Sequence, residues 1–486
     1  MPTQIESVLA SVPTQLFIGG AWRDSSDGAT IDVLDPATAK PLLTVASAGL
    51  DDAAAAVSAA QEALDGWRRT APRTRSTILR RAYELMTERT QELALLISAE
   101  NGKALPDARA EVAYAAEFFR WFSEEAVRLN GSLQVAPSGD YRIVVQREPI
   151  GVAVLVTPWN YPAAMATRKI GPALAAGCTV VLKPATDTPL TALALAALLR
   201  EAGVPDGVVN VLPAHRSGQV VGALLADQAV RKVSFTGSTE VGIKLLHTAA
   251  NRVLSSSMEL GGNAPFLVLE DADVEQAVAG AMVAKMRNGG EACTAANRFY
   301  VHESVAAEFS HRFATAMGKL RLGPGYDEGV DVGALVNQAA QEKVQDLVDD
   351  AVDRGAEVLT GGTIPELDGF YYPPTVLDNV AAEAEMMHDE IFGPVAPIVR
   401  FTELDEAVAA ANRTDYGLIS YVYTADLAKG MRVAEALECG MVGLNRGVVS
   451  DPSAPFGGVK LSGLGREGGH EGMLEYTETK YIATTW

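Results

Sequence analysis

A single cysteine among small residues is the first candidate for chemistry in this chain. It is Cys293, in the stretch "RNGGEACTAANRF" that runs from Arg287 to Phe299. Small neighbours leave room for a substrate, and a nucleophilic cysteine needs both access and a way to lose its proton. The other two cysteines, Cys178 and Cys439, lie in an apolar run and near a predicted helix end, where a thiol is more often an inert small hydrophobe.

Two polar residues next to predicted strands could assist that cysteine. Glu259 precedes "LGG", and a carboxylate with glycine on one side can move and act as a general base. Asn160 follows the apolar run "GVAVLV", and a free side-chain amide at that turn could donate to a developing oxyanion. Each residue also has an ordinary interpretation, because most glutamates are surface charges and asparagine is a common turn former.

Other turns after predicted strands could hold a phosphate or a ribose. Lys183 follows "TVVL" and is either a donor to such oxygens or a solvated lysine at a strand end. In "FTGSTEVG", Gly237 could let a phosphate approach the amides of a helix N-terminus, although a Ser/Thr helix cap explains the same stretch. The spacing is not the six-residue glycine fingerprint of dinucleotide-binding folds.

The bulk composition excludes several classes of function. The 486 residues contain 61 acids and 40 bases, a formal charge of -21 that repels phosphate backbones, so we expect no nucleic-acid partner. Three cysteines form no disulfide framework, and we predict no metal site. The N-terminus lacks a signal-peptide pattern and no apolar run reaches about 18 residues, so we expect a cytoplasmic protein that does not enter a membrane.

The order of apolar patterns predicts an α/β protein. The first third, with "RSTILRRAYELM" and Gly102 as a helix C-cap, is typical of helices. From Gly151, short apolar runs alternate with Ala-rich segments, and a second alternation begins after about residue 261. Strands that alternate with helices indicate parallel sheets, whose ligands bind beyond the carboxyl ends of the strands. The segments "DYRIVVQREP" and "EYTETKYIATTW" read as exposed strands that could pair with another subunit.

Seven motifs in order make the chain resemble the aldehyde dehydrogenase family over nearly its whole length. They are "TPWNYP", "GPALAAGCTVVLKPA", "FTGSTEVG", "MELGGNAP", "GEACTAANR", "EIFGPVAP" and "PFGGVKLSGLGREGG". The resemblance implies two doubly wound parallel-sheet domains plus a β oligomerisation element. Residues 1–126 and 150–260 would bind the nicotinamide dinucleotide, 261–461 would form the catalytic domain, and 127–149 with 462–486 would assemble a homodimer or homotetramer.

The resemblance also implies roles for individual residues. Cys293 matches the nucleophile, Glu259 the general base, and Asn160 the side-chain half of an oxyanion hole whose other half is the backbone N–H of Cys293. The aldehyde would pass through a thiohemiacetal and a thioester on the cysteine. Glu390 matches the acid that holds the nicotinamide ribose, and the remaining positions that match cofactor contacts are Trp159, Asn160, Lys183, Pro184, Ala185, Thr186, Gly237, Ser238 and Leu260.

Three residues match the carboxylate-binding positions of the succinate-semialdehyde dehydrogenases, the members that the chain most resembles. They are Arg168, Arg287 and Ser450, and guanidinium groups bind a carboxylate through paired hydrogen bonds. We therefore expect succinate semialdehyde as substrate, although each arginine could instead make a structural ion pair. Glutarate semialdehyde, betaine aldehyde, an apolar aldehyde, transfer of the acyl group to CoA, and a non-catalytic structural role remain open.

Three departures from the family pattern bear on function. Thr186 stands where NAD-preferring relatives have Glu, so we expect NADP to be preferred and NAD to be accepted, unless Asp187 turns inward against the phosphate. Glu291 replaces the usual Gln; it would raise the thiol pKa if it pointed inward, and we expect it to point away. Ala295 replaces a cysteine found in some relatives, so we expect no disulfide switch at the nucleophile.

Overall fold

Short runs rich in Val, Leu and Ala form the buried strands of a computed structural model that describes residues 2–486. The strands are β1 (Leu16–Ile18), β2 (Ala21–Arg23), β3 (Thr30–Asp35), β4 (Lys40–Ala46), β5 (Ser132–Val135), β6 (Arg142–Pro149), β7 (Val152–Val156), β8 (Thr179–Lys183), β9 (Val209–Val211), β10 (Val230–Thr236), β11 (Ser255–Glu259), β12 (Ala264–Val268), β13 (Ala296–His302), β14 (Glu357–Thr360), β15 (Thr375–Asp378), β16 (Val395–Phe401), β17 (Tyr416–Gly417), β18 (Ile419–Tyr423), β19 (Met441–Leu444), β20 (Val459–Lys460), β21 (Gly463–Leu464) and β22 (Thr477–Thr484).

Helices cover both faces of the two large sheets. They are α1 (Pro2–Ser11), α2 (Leu50–Arg69), α3 (Pro72–Glu88), α4 (Thr90–Asn101), α5 (Leu105–Glu125), α6 (Pro162–Ala176), α7 (Leu190–Glu201), α8 (Ser217–Ala226), α9 (Thr239–Ala250), α10 (Val274–Met286), α11 (Glu303–Met317), α12 (Gln338–Asp353), α13 (Leu404–Asn412), α14 (Leu427–Ala436) and α15 (Glu471–Leu474), with 3₁₀ turns at Arg287–Gly290 and Glu385–Met387. Within residues 2–486, none of these helices combines the length and the apolar character that a membrane crossing requires.

The first sheet confirms the predicted doubly wound topology. Its eight strands lie in the order β2-β1-β9-β8-β7-β10-β11-β21, and the five from β9 to β11 are parallel. The chain winds outward from β7 through β8 to β9, then returns to place β10 on the other side of β7. The direction of winding therefore reverses between β7 and β10, the place where open α/β sheets bind ligands.

The second sheet has seven strands in the order β14-β15-β16-β13-β12-β18-β19. Its strands are parallel except for the edge strand β14, which pairs antiparallel with β15. Successive residues of a central strand face opposite cores: Phe266 of β12 packs in one apolar cluster and Leu267 in another. In the first sheet, Val154 and Leu155 of β7 divide in the same way. Burial on both faces explains why these strands read as continuous apolar runs.

A loop of four residues, 260–263, joins the two large sheets. It runs from the carboxyl end of β11 directly to the amino end of β12. The prediction that ligands lie beyond carboxyl ends therefore describes the first sheet and, among the candidate residues of the second, only Ser450, which follows β19. Cys293 precedes β13 and Glu390 precedes β16, because the linking loop brings the amino edge of the second sheet to the carboxyl edge of the first.

Smaller sheets complete the architecture. The two predicted exposed segments form β6 and β22, which pair with each other, and β5 completes a three-stranded antiparallel sheet with them. Gly463 and Leu464 of β21 instead pair with the edge of the first sheet. The first third is not only helical, because β1 to β4 form two hairpins there. The predicted C-cap is confirmed: Gly102 ends α4 at φ 94°, and its N–H donates to the carbonyl of Ser98.

Candidate active site

A cavity of about 260 Å³ lies where the two large sheets meet, and most of the predicted site residues line it. Those from the first sheet lie at the end of β11, follow β7, β10 or β11, or lie on helix α6. Those from the second sheet precede β13 or β16, and Ser450 comes from the loop after β19. The predicted residues on the cavity wall are Trp159, Asn160, Arg168, Gly237, Ser238, Glu259, Leu260, Arg287, Cys293, Glu390 and Ser450.

The cysteine sits on a loop whose tight path is built from unusual backbone conformations. Asn288, Gly289 and Gly290 all have positive φ, between 57° and 81°. Gly290 is required, since a Cβ there would lie 2.2 Å from the carbonyl oxygen of Gly393. The Cys293 side chain is half-buried on the cavity wall. Burial raises the pKa of its thiol to about 12, with Glu390 and Glu259 adding to the rise and Arg168 and Arg287 opposing it. The resting thiol therefore keeps its proton and needs a base.

Glu259 has the properties of such a base. It is the last residue of β11, it is buried, and it lines the cavity. Its Oε2 has no hydrogen-bond partner among residues 2–486. Burial, together with the negative charge of Glu467, raises the pKa of the Glu259 carboxyl well above its usual value, against the opposing effect of Arg168. A carboxyl with a raised pKa can take a proton from a nearby thiol or water.

The Asn160 amide is on the cavity wall, but the prediction that it is free is wrong in one respect. Its Nδ2 donates to the carbonyl oxygen of Glu291 at 3.0 Å, which uses one of the two amide hydrogens. The second hydrogen of the amide remains to serve an oxyanion. The bond fixes the plane of the amide relative to the loop that carries Cys293, which a free side chain would not achieve.

Three residues that hold this site were missed in the sequence. Lys103 Nζ donates to the carbonyl of Asn160 at 2.6 Å and to Glu111 Oε2 at 2.5 Å. Asn288 Nδ2 donates to the same Asn160 carbonyl at 3.1 Å and to the carbonyl of Glu291 at 2.8 Å. The only local signal was the position of Lys103 directly after the glycine cap of α4.

The two arginines differ in their surroundings. Arg168 is buried on α6, where its Nε lies 2.5 Å from Glu467 Oε2 and its guanidinium carbon 4.3 Å from the centre of the Phe456 ring. Its ion pair matches the ordinary structural interpretation, yet its Nη2 has no hydrogen-bond partner among residues 2–486. Arg287 is half-buried over the Tyr114 and Tyr161 rings, and no acid of the described chain lies within ion-pair distance of it.

The predicted cofactor residues fall into two groups. Trp159, Gly237, Ser238, Leu260 and Glu390 line the cavity. The Trp159 ring packs edge-on against Phe392, at 5.3 Å between ring centres, and Ser238 is the N-cap of α9. Burial raises the pKa of the Glu390 carboxyl to about 7, and its Oε1 accepts from the N–H of Gly262 at 3.1 Å.

The second group comprises Lys183, the last residue of the neighbouring strand β8, and Pro184, Ala185 and Thr186, which follow it; none of the four is part of the cavity wall. Burial lowers the pKa of Lys183 to about 8, with Asp187 opposing, and its amine makes no hydrogen bond within residues 2–486. Thr186 Oγ1 donates to the carbonyl of Ala214 at 3.2 Å and lies 3.3 Å from Ser217 Oγ. Asp187 Oδ1 accepts from Asn337 Nδ2 at 3.2 Å.

The structure shows the surroundings of the two departures near Cys293, which are Glu291 and Ala295. The Glu291 side chain is buried and accepts from the backbone N–H of Val336 at 3.2 Å, and burial raises its pKa to about 8. It is thus engaged away from the thiol, as expected, while its carbonyl holds Asn160. Ala295 leaves Cys293 without a neighbouring cysteine, and the three cysteines of the chain are all free.

Comparisons with known proteins agree with the motifs. The family model described as "Aldehyde dehydrogenase family" matches residues 22–482. The succinate-semialdehyde dehydrogenase of Paenarthrobacter nicotinovorans is 55% identical over 441 residues, which cover 91% of this chain and 98% of that protein. The glutarate-semialdehyde dehydrogenase of Pseudomonas putida is 47% identical over 468 residues, which cover 96% and 97%. A crystal structure of an NADP-dependent enzyme from E. coli superposes with a TM-score of 0.97 at 46% identity, covering 99% of each chain.

Proposed function

The chain belongs to the aldehyde dehydrogenase family, and on that premise we propose that it oxidises succinate semialdehyde to succinate with a nicotinamide dinucleotide. One observation carries the proposal. A single cavity holds a cysteine thiol, a buried carboxyl and an amide, together with two guanidinium groups. The first three can do acyl chemistry on an aldehyde, and the guanidiniums can bind a carboxylate at the other end of the same molecule.

The residues around the cavity fit a nicotinamide dinucleotide. Helix α9 points its N-terminus, capped by Ser238, toward the cavity wall, and helix N-termini bind phosphate. The Lys183 amine, without a partner among residues 2–486, offers a donor to the ribose or its phosphate, and Glu390 an acceptor for ribose hydroxyls. When bound, this cofactor supplies the hydride acceptor.

The proposed reaction begins at the thiol. Glu259 takes the Cys293 proton, directly or through water, and the sulfur attacks the aldehyde carbon. The carbonyl oxygen gains the negative charge, which the second Asn160 amide hydrogen and the backbone N–H of Cys293 stabilise. After the hydride has left the carbon, a thioester joins the acyl group to Cys293. Glu259 then releases to solvent the proton that it took from Cys293, and takes another from the water that attacks the thioester. The sulfur leaves the acyl carbon and is protonated again, which releases the acid and restores the cysteine.

The arginines set the substrate in this proposal. Arg168 keeps an unpaired Nη2, and Arg287 keeps its charge free of any acid within residues 2–486 at ion-pair distance. The two guanidinium groups carry permanent positive charges, and Glu467 forms an ion pair with only one of them, Arg168. A substrate carboxylate would supply the second negative charge. Ser450 adds a hydroxyl to the same wall. An apolar aldehyde would leave the guanidiniums unsatisfied, so it should be a poorer substrate.

A second candidate is the oxidation of glutarate semialdehyde, which the 47% identical relative from Pseudomonas putida favours. This aldehyde carries the same carboxylate on a chain one carbon longer. The two substrates differ only by a methylene, which a pocket discriminates by roughly 10- to 200-fold.

An aldehyde panel tests the proposal. The initial rate of nicotinamide reduction is measured with succinate semialdehyde, glutarate semialdehyde, butanal and betaine aldehyde, each with NADP and with NAD, and each with and without CoA. We expect the highest kcat/KM with succinate semialdehyde and no dependence on CoA. Turnover of none of the aldehydes would favour the non-catalytic alternative, and a higher kcat/KM for betaine aldehyde or butanal would refute the carboxylate assignment.

The remaining parts of the proposal concern cofactor preference and assembly. The hydroxyls of Thr186 and Ser217 lie beside each other near the Lys183 segment, and both donate to the carbonyl of Ala214. If they turned from that carbonyl they could donate to a 2′-phosphate, which supports a preference for NADP. In the three-stranded sheet, Leu133 is 62% exposed and Tyr481 is 55% exposed, which supports pairing with a second copy of the chain. The oligomer number, the domain boundaries and the cytoplasmic location stay predictions.

A further inference from the structure

Lys103 is a buried lysine that the proposed reaction does not use. Its side chain is 1% exposed, between the end of α4 and the start of α5. All three directions of its ammonium group are engaged: Glu111 Oε2 at 2.5 Å, the carbonyl oxygen of Asn160 at 2.6 Å, and the face of the Tyr161 ring at 4.3 Å from its centre. An ammonium with three donors, each directed at a fixed group, has a single position.

The Asn160 carbonyl belongs to a closed set of hydrogen bonds. Lys103 Nζ and Asn288 Nδ2 both donate to it. Asn288 Nδ2 also donates to the carbonyl of Glu291, and that carbonyl accepts the side-chain amide of Asn160. The backbone and the side chain of Asn160 are thus held through one cluster of donors, which leaves one amide hydrogen directed elsewhere.

The partner of Lys103 extends the same arrangement to helix α6. Glu111 Oε1 accepts from the backbone N–H groups of Ala163 and Ala164, at 2.8 Å and 3.2 Å. These are among the first residues of α6, the helix that carries Arg168. The ion pair between Lys103 and Glu111 therefore fixes both the turn before α6 and the start of the helix.

Stability alone does not account for an ion pair in this place. Burying two charges costs desolvation, and well-packed apolar groups of similar volume are often as stable. An apolar pair would, however, provide no donor for the Asn160 carbonyl and no acceptor for the α6 amides. The ion pair does provide these, at the residue whose amide the reaction needs in a fixed place.

We propose that Lys103 is a positioning residue for the oxyanion donor, which acts by holding the Asn160 peptide so that the free amide hydrogen meets the developing negative charge. This inference rests on the proposed aldehyde oxidation at Cys293. A displacement of about 1 Å in a catalytic group can cost roughly 100-fold in rate. Loss of the Lys103 bond should therefore lower kcat by about 10- to 100-fold and change KM by less than about threefold.

The test compares Lys103→Met with the double variant Lys103→Met/Glu111→Gln. The single variant leaves the Glu111 charge buried and unpaired, so it should unfold at a lower temperature. The double variant removes both charges and should recover most of the Tm without recovering kcat. A matched control is Lys232→Met, which removes another buried lysine paired with an acid, Glu475, away from the cavity. It should lower the Tm and leave kcat within about threefold of wild type.

A second readout separates the oxyanion from the nucleophile. Alkylation of Cys293 by iodoacetamide is a displacement at saturated carbon that builds no oxyanion, so its rate in the double variant should stay within about threefold of wild type. Asn288→Gly removes the other donor to the Asn160 carbonyl and suits the φ of 57° at that position. It should also lower kcat more than it changes KM, even if the Lys103 variants fail to fold.

The outcomes decide between the alternatives. Recovery of kcat together with Tm in the double variant would show a merely structural role and overturn the inference. Any of three other results would also overturn the inference. They are an alkylation rate that falls as far as kcat, a change confined to KM, and an unaffected kcat in Asn288→Gly. If wild-type protein oxidises none of the aldehydes, the proposed function itself fails, and this inference falls with it; activity in wild type with unaffected variants overturns the positioning role alone.

Discussion

The two walls of the cavity differ in how tightly their side chains are held. The wall from the first sheet presents Asn160, Glu259 and Arg168, none of them more than 5% exposed. The wall from the second sheet presents Cys293 and Arg287, both half-buried. The three groups of the first wall therefore lie in a dry setting, where an electrostatic interaction is stronger than in water. The second wall offers groups that a substrate reaches and that have no paired acid.

The electrostatic settings of the walls follow the same division. On the first wall, the Glu467 carboxylate acts on both Glu259 and Arg168. It forms ion pairs with Arg168 and Lys169, and its negative charge raises the pKa of Glu259. On the second wall, burial is the main cause of the raised pKa of Cys293, while two nearby acids raise it further and two arginines lower it. Reactivity in this account comes from the accessible thiol, whereas the buried wall stabilises the charges that the reaction develops.

The largest effect should come from the accessible wall. Cys293→Ala removes the proposed nucleophile, so kcat for aldehyde oxidation should fall by about 10⁴-fold or more, because the proposed reaction passes through a thioester on this sulfur. The side chain is half-buried and small, so the thermal unfolding temperature should stay near that of wild type. Kinetics and a thermal melt on the same preparation check both statements. Residual oxidation above about 1% of wild type would place the chemistry elsewhere.

The buried base should matter next. Glu259→Gln keeps the shape and removes the acceptor for a proton, so kcat should fall by about 10²- to 10³-fold and the acyl group should accumulate on Cys293. Because the Glu259 pKa is raised by burial and the base works when deprotonated, wild-type activity should rise as the pH passes through that raised pKa, and the variant should lose this rise. Intact-protein mass after mixing with substrate and a kcat–pH profile are the measurements. An unchanged profile would remove Glu259 from the role of base.

The two arginines should differ in stability. Arg168→Ala leaves Glu467 with Lys169 as its remaining close cation, so the free energy of unfolding should fall by about 3 kcal/mol, the lower end for breaking a buried ion pair. Arg287→Ala breaks no ion pair within residues 2–486 and should cost less than about 1 kcal/mol. Urea unfolding of both variants beside wild type makes the comparison. Equal losses would contradict the difference between the walls.

A smaller effect is expected at the cofactor end of the first sheet. Thr186→Glu places a carboxylate beside the hydroxyl of Ser217, where it would repel a 2′-phosphate and accept ribose hydroxyls. The ratio of kcat/KM with NADP to that with NAD should fall by about 10-fold or more, equivalent to the loss of one charge-assisted hydrogen bond. Thr186→Ser is the control and should leave the ratio within about threefold. A ratio that does not move would show that Thr186 is not near the ribose.

The sequence predicted the residues at strand ends better than the groups that hold them. Cys293 could be singled out because it stands among small residues, Glu259 because two glycines follow it closely, and Asn160 because it lies at a turn after an apolar run. Their convergence on one cavity follows from parallel strands, which bring their ends to a common edge. The approach of the second sheet by its amino edge was not predictable from periodicity, because it depends on the short linking loop after Glu259.

The supporting contacts were not predictable from local patterns. Lys103 meets the carbonyl of Asn160 across 57 residues of sequence, and Asn288 meets the same carbonyl across 128. No helical or strand period connects such positions, and a lysine is ordinarily a surface charge. The hairpins β1–β2 and β3–β4 were missed for another reason: their strands are short or mix exposed and buried residues, so they lack the continuous apolar runs of the central sheet.

The measurement that tests the central claim most directly is the effect of Arg287→Ala on substrate discrimination. The ratio of kcat/KM for succinate semialdehyde to that for butanal, a four-carbon aldehyde without the carboxylate, is compared in wild type and variant. Arg287 is chosen because its loss should not disturb the fold. The account predicts that the ratio falls by about 10- to 100-fold while kcat/KM for butanal stays within about threefold. Equal losses with both aldehydes would contradict the claim that this cavity recognises a carboxylate.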